Sequence, residues 1–118
     1  MPTRFFKDRI IAYKKGEKYL AVSLEFDLMA DGKTIKQSLD RLHDATSGYL
    51  QVCCEDNETD EEIYRQAPKK YQDLYKLFVE LTENKKKDEN EKKKERAFLK
   101  KETQTAQYTY SSRNLTHA

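Results

Sequence analysis

Glu25 and Asp27, two carboxylates two residues apart, are the closest this 118-residue chain comes to a catalytic pair. On an extended strand, residues i and i+2 point to one side, so both acids could face one divalent ion as a metal-dependent nuclease requires. Such a site needs further converging ligands, and none follows at a matching spacing. Asp40 and Asp44 stand one helical turn apart, but they read as the solvated outer face of a helix. His43 and His117 are the only histidines. A Cys-His nucleophile would need Cys53 or Cys54 beside His43, and ten residues along one helix is ~15 Å. Cys53 therefore reads as a small buried apolar residue. With no Gly-rich phosphate loop and no Cys-x-x-Cys signature, neither an enzyme nor a cofactor is expected.

The carboxylate pair is positioned by a strand that hands over to a helix. Leu20, Val22, Leu24, Phe26 and Leu28 alternate with Tyr19, Ala21, Ser23, Glu25 and Asp27, which predicts a second strand from about Lys18 to Phe26. Gly32 permits a turn, and Thr34 is placed to N-cap a helix from Ile35 to about Cys54. Ile35, Leu39, Leu42, Thr46, Tyr49, Leu50 and Cys53 share one face of that helix. The even-numbered strand residues are the face it is expected to seal. Upstream, Arg4–Lys14 reads as a first strand closed by a hairpin at Gly16, and Met29-Ala30 as a short third strand.

Glu55 to Ala67 forms an acidic connector with a helical turn expected around Glu61–Arg65, and Pro68 opens a further helix to about Asn84. The apolar positions of that helix cover roughly 200°, wider than the stripe of an ordinary surface helix. It is either buried between sheet and first helix or used as a subunit interface through Leu77, Phe78 and Leu81. Residues 85–102 form a charged linker or helix extension, and residues 103–118 hold a late strand and a disordered end. The domain proper is residues 1–84.

Apolar residues make up 36% of the chain and charged residues 37%, so the core must be small. The net charge of +2 does not suggest nucleic acid, and the lysine-rich run from Lys85 to Lys101 carries only Phe98 as an aromatic. Six acids and no base lie between Glu55 and Glu62, which by default is a solvated face. Adjacent cysteines disfavour a disulfide, and no leader or membrane-length apolar run is present. A reducing cytoplasm is the expected location, with no membrane partner.

Two strands joined by a Gly turn, then Ala21-Val-Ser-Leu-Glu-Phe26, then Asp31-Gly-Lys-Thr-Ile-Lys-Gln-Ser-Leu-Asp-Arg-Leu42, resemble the HicB-type antitoxin domain over about residues 7–54. Gly32, Thr34, Ile35, Ser38, Leu39 and Leu42 occupy the positions of that family's Gly-x-Thr and helix-opening motif. The family's Pro-Gly loop is replaced by Phe26-Asp-Leu-Met29. The resemblance implies an α+β fold, a small antiparallel sheet of three to four strands covered by two helices, similar to a truncated ribonuclease-H fold. It also implies a non-enzymatic interaction module, a homodimer that sequesters a small ribonuclease toxin. After Tyr110 too little chain remains for a DNA-binding segment, so operator binding is not expected. The residues expected to meet the partner are Tyr19, Ser23, Glu25 and Asp27. The alternatives are a nuclease using Glu25 and Asp27, or a purely structural homodimer.

Overall fold

The computed structural model describes residues 3–83 and 102–115. The fold is α+β, with strands β1 (Phe5–Lys15), β2 (Lys18–Ser23), β3 (Leu28–Gly32) and β4 (Thr103–Ser111) in the order β3-β2-β1-β4. Every neighbouring pair is antiparallel. The helices are α1 (Ile35–Glu55), the short α2 (Asp60–Ile63) and α3 (Lys69–Glu83). Strands β1 to β3 form a meander, and β4 returns from the far end of the chain to flank β1. The late strand thus belongs to the same sheet as the N-terminal strands. The charged run from Lys85 to Lys101 lies outside the described residues.

The β1–β2 hairpin closes at Lys15↔Lys18, leaving a two-residue loop with Gly16 at φ 65. A positive φ at the first loop position matches the right-handed strand twist, and glycine takes it without steric cost. Gly32 serves a different purpose from the turn expected of it. It ends β3 without a positive φ, and a Cβ there would come within 2.6 Å of the Ser38 backbone nitrogen. Its lack of a side chain lets the first turn of α1 pack directly on the sheet. Thr34 caps that turn, accepting from the Gln37 N–H at 3.0 Å, while the Gln37 side chain accepts from the Lys33 N–H.

Two helices cover opposite sides of the sheet, and the assignment of faces departs from expectation. Helix α1 packs through Leu39 and Leu42 on Ile10 and Ala12 of β1 and on Ala21, which belongs to the odd-numbered face of β2. The even-numbered face, Val22 and Leu24 with Ile11, lies under Tyr71 and Phe78 of α3. Small Ala21 and Ser23 let α1 sit close, while the larger even-numbered side chains fill the gap beneath the aromatic-rich α3. Burying each leucine or isoleucine here contributes about 1.5–3 kcal/mol. The end of the chain is also partly fixed: Leu115, in the segment expected to be disordered, is buried beside Phe6 and Cys53.

Candidate functional site

Strand β2 stops at Ser23, three residues before its alternation ends. Asp8 of β1 is the cause. It is 1% exposed, and its Oδ1 accepts from the Ser23 hydroxyl at 2.9 Å and from the Glu25 N–H at 3.2 Å. The Ser23 oxygen accepts in turn from the Phe26 N–H, and the Asp27 N–H closes on the Ser23 carbonyl. Asp27 takes φ 54, the left-handed conformation that short polar residues tolerate. Leu24 therefore remains on the α3 side while Phe26 crosses to the α1 side, joining Leu50, Cys53 and Phe6. Burial pushes the Asp8 carboxyl up to about 6 despite its two hydrogen bonds. Its Oδ2 and the Tyr110 hydroxyl have no hydrogen-bond partner among the described residues.

The same turn separates Glu25 from Asp27. Both Glu25 oxygens engage the Arg9 guanidinium, at 3.1 and 2.8 Å, in a bidentate pair. Arg9 also donates to Gln72 of α3 at 3.0 Å and stands over the Tyr75 ring. Burial works to raise the Glu25 carboxyl, but the hydrogen bond and charge of Arg9 outweigh it, and the group ends below the usual glutamate range. Asp27 is exposed in the turn and contributes nothing to this network. The premise of two acids side by side on a strand is thus replaced by one paired acid and one solvated acid. No group of three or more His, Cys, Asp or Glu side chains among the described residues is arranged to hold a metal ion.

The remaining residues expected to meet a partner are dispersed. Ser23 is fully buried beneath α1, so it is not part of an accessible strand face. Tyr19 is half-buried and donates to Glu102 at 3.5 Å. On α3, Phe78 is 7% exposed and packs against the even-numbered sheet face, Leu81 is half-buried, and only Leu77, at 52%, is well exposed. Tyr71 and Phe78 of the α3 stripe are buried against the sheet, whereas Leu74, Tyr75, Val79 and Leu81 are half-buried, so Leu77, Phe78 and Leu81 differ in exposure.

The acidic connector, in contrast, is ordered. After α1, Asn57 adopts φ 55, and the N–H groups of Asn57 and Glu58 bond back to the carbonyls of Cys54 and Cys53. This is the Schellman closure of a helix, with asparagine where glycine is usual. Thr59 and Glu62 then form a capping box on α2, and Tyr49 donates to the Ile63 carbonyl. Arg4 ties the segment to β1 through the Glu58 carbonyl at 2.8 Å and the Asp60 carboxylate. Glu55, Asp56, Glu61 and Glu62 remain exposed, and Val52, one helical turn before Glu55 and Asp56, is 54% exposed. An open groove of about 330 Å³ borders them, lined by Arg4, Cys54, Glu55, Asn57, Ser112 and Arg113 among others. Sequence composition flagged these acids only as a solvated face, although Asn57 and the Thr59-x-x-Glu62 spacing signalled local order.

Comparison of the chain with protein families, with curated proteins and with solved structures finds no match. No helix of the described residues is long and apolar enough to cross a membrane. Cys53 and Cys54 are both free thiols.

Proposed function

We propose that the chain is a non-enzymatic protein-interaction module of the HicB-like antitoxin type, which covers and silences a small basic ribonuclease in a reducing cytoplasm. The observation that carries this reading is the ordered lobe at the end of α1, where Glu55, Asp56, Glu61 and Glu62 are all exposed and Val52, one helical turn before Glu55 and Asp56, is an exposed apolar side chain. An exposed apolar side chain among charged neighbours is common anatomy for a protein interface, and the run of exposed acids would steer a basic partner, although Arg4 and Arg113 line the adjoining groove. The order of the lobe matters energetically, because a surface already held by a capping box and Arg4 loses little entropy on binding. Glu25, committed to Arg9, supports contact rather than metal-assisted hydrolysis.

The test is co-expression of the tagged chain with the product of the adjacent reading frame. A small basic protein should co-purify, lose its RNA-degrading activity in the complex, and release at high salt. Replacing Glu55, Asp56 and Glu61 by lysine should weaken capture. Failure to recover a partner, or a recovered partner that degrades RNA undiminished, would remove the reading. Heat evolved on titrating the chain with Mg²⁺ or Mn²⁺ would favour the nuclease alternative.

A further inference from the structure

The two edges of the sheet are built differently. The β3 edge is five residues long and carries Asp31, which faces the charged groups of Lys18 and Arg41. Short length and charge are how proteins prevent an edge from pairing with another chain. The β4 edge has neither protection. It runs for nine residues, Thr-Gln-Thr-Ala-Gln-Tyr-Thr-Tyr-Ser, with no charge, no proline and no glycine. Among the described residues β4 pairs only with β1.

The hydrogen-bonding parity of that edge is fixed by its register with β1. The Ser112 N–H bonds to the Arg4 carbonyl, so the β1–β4 register places the bonding groups of Tyr110, Tyr108, Ala106 and Gln104 toward β1. The N–H and C=O groups of Thr105, Gln107 and Thr109 therefore point outward. Gln107 lies at the centre of the strand, with Thr105 and Thr109 placed symmetrically about it. A two-fold axis at Gln107 pairs Gln107 with its own copy and Thr105 with Thr109, each pair exchanging both N–H···O bonds. The same axis sets Thr103 opposite Ser111 and Ala106 opposite Tyr108, and every side chain keeps its face of the sheet.

We propose that β4 is the self-association surface of this protein, and that two copies join antiparallel at Gln107 into one continuous sheet. The occupant is a second copy because the strand is complementary to itself, in register and in hydrogen-bonding parity, and carries no charge to repel its twin. This does not rest on the antitoxin reading, and it moves the dimer contact away from Leu77, Phe78 and Leu81.

Sedimentation velocity on the full chain tests it with a pair of opposite charges. The Gln107 side chain is exposed, its backbone groups point away from β1, and the hydrogen bond it loses on substitution, a 3.4 Å donation to the Tyr75 hydroxyl of α3, lies outside the sheet ladder. Wild type should sediment as a dimer at micromolar concentration. Gln107→Lys and Gln107→Glu should each raise the dissociation constant about fivefold or more, since like charges then stand directly opposite. An equimolar mixture of the two variants should recover the dimer, because only an axis through residue 107 brings the new lysine and glutamate together. Circular dichroism of each variant checks that the fold is retained. A wild type that is still monomeric at about 100 μM, or a dimer indifferent to both variants, would overturn the proposal. So would a wild type that pairs only with a different protein.

Discussion

Asp8 and Ser23, fifteen positions apart in sequence, meet in a hydrogen bond of 2.9 Å beneath α1, and that contact ends β2. The carboxylate holds the Ser23 hydroxyl and the Glu25 N–H together, which bends the chain and sends Phe26 through to the opposite side of the sheet. A buried acid thus decides which face the next large side chain fills.

That acid makes stability depend on pH in an unusual direction. Its pKa is about 6 when folded, against 3.8 for an ordinary aspartate, so the folded state holds the proton more tightly than the unfolded chain. Between these values stability falls as pH rises, by at most about 3 kcal/mol from this group, and is flat above pH 6. Asp8→Asn should abolish that component of the slope in urea unfolding measured from pH 4 to 7. Parallel curves for the two proteins would show that Asp8 does not titrate in this range.

Gly32→Ala should destabilise the fold by about 1–3 kcal/mol, the typical cost of overpacking, because the new methyl meets backbone of α1 at 2.6 Å. Gly16→Ala tests a different effect, a positive φ with open space around it, and should cost about 1 kcal/mol. Chemical denaturation midpoints give both. If Gly32→Ala were the milder of the two, the close packing of α1 on β3 would be wrong.

On α3, neighbouring residues should respond in opposite ways. Phe78→Asp buries an unpaired charge against Ile11 and Val22 and should cost more than about 3 kcal/mol, unfolding much of the population. Leu77→Asp, on the exposed side, should change stability by less than about 0.5 kcal/mol. Thermal melts distinguish them. A fully folded Phe78→Asp variant would return that residue to the surface.

The thiols should react at different rates. Burial pushes the Cys53 thiol up to about 11, and its sulfur is shielded by the core around Phe6 and Leu50, whereas Cys54 is half-exposed at the groove. A disulfide reagent at pH 8 should modify one thiol quickly in the native protein and the second only on unfolding. Cys54→Ser should remove the fast phase; its survival in that variant would contradict the burial of Cys53.

Arg9→Ala and Glu25→Ala should each cost about 1 kcal/mol, with little further loss when combined, because each residue's main partner is the other. Additive losses would mean that Arg9 acts chiefly through Gln72 and Tyr75.

Much of this architecture was legible in the residues because it depends on local chemistry. Thr34 caps α1 wherever that helix sits, Gly16 closes its hairpin, and the 3.6-residue spacing of Leu39, Leu42 and Leu50 commits one stripe of α1 to the core. Alternation in β2 likewise required two distinct sheet faces. It could not say which helix would cover which face, because α1 and α3 both carry suitable stripes and the choice turns on how Ala21 and Ser23 fit beneath α1. Nor could it separate Glu25 from Asp27, since their divergence depends on Asp8, a residue distant in sequence with no pattern to announce it. Local interactions act over three or four residues and are written into spacing. Side-chain partners across strands, the burial of Ser23 and the place of β4 beside β1 arise only when distant segments are brought together, and tertiary packing decided those.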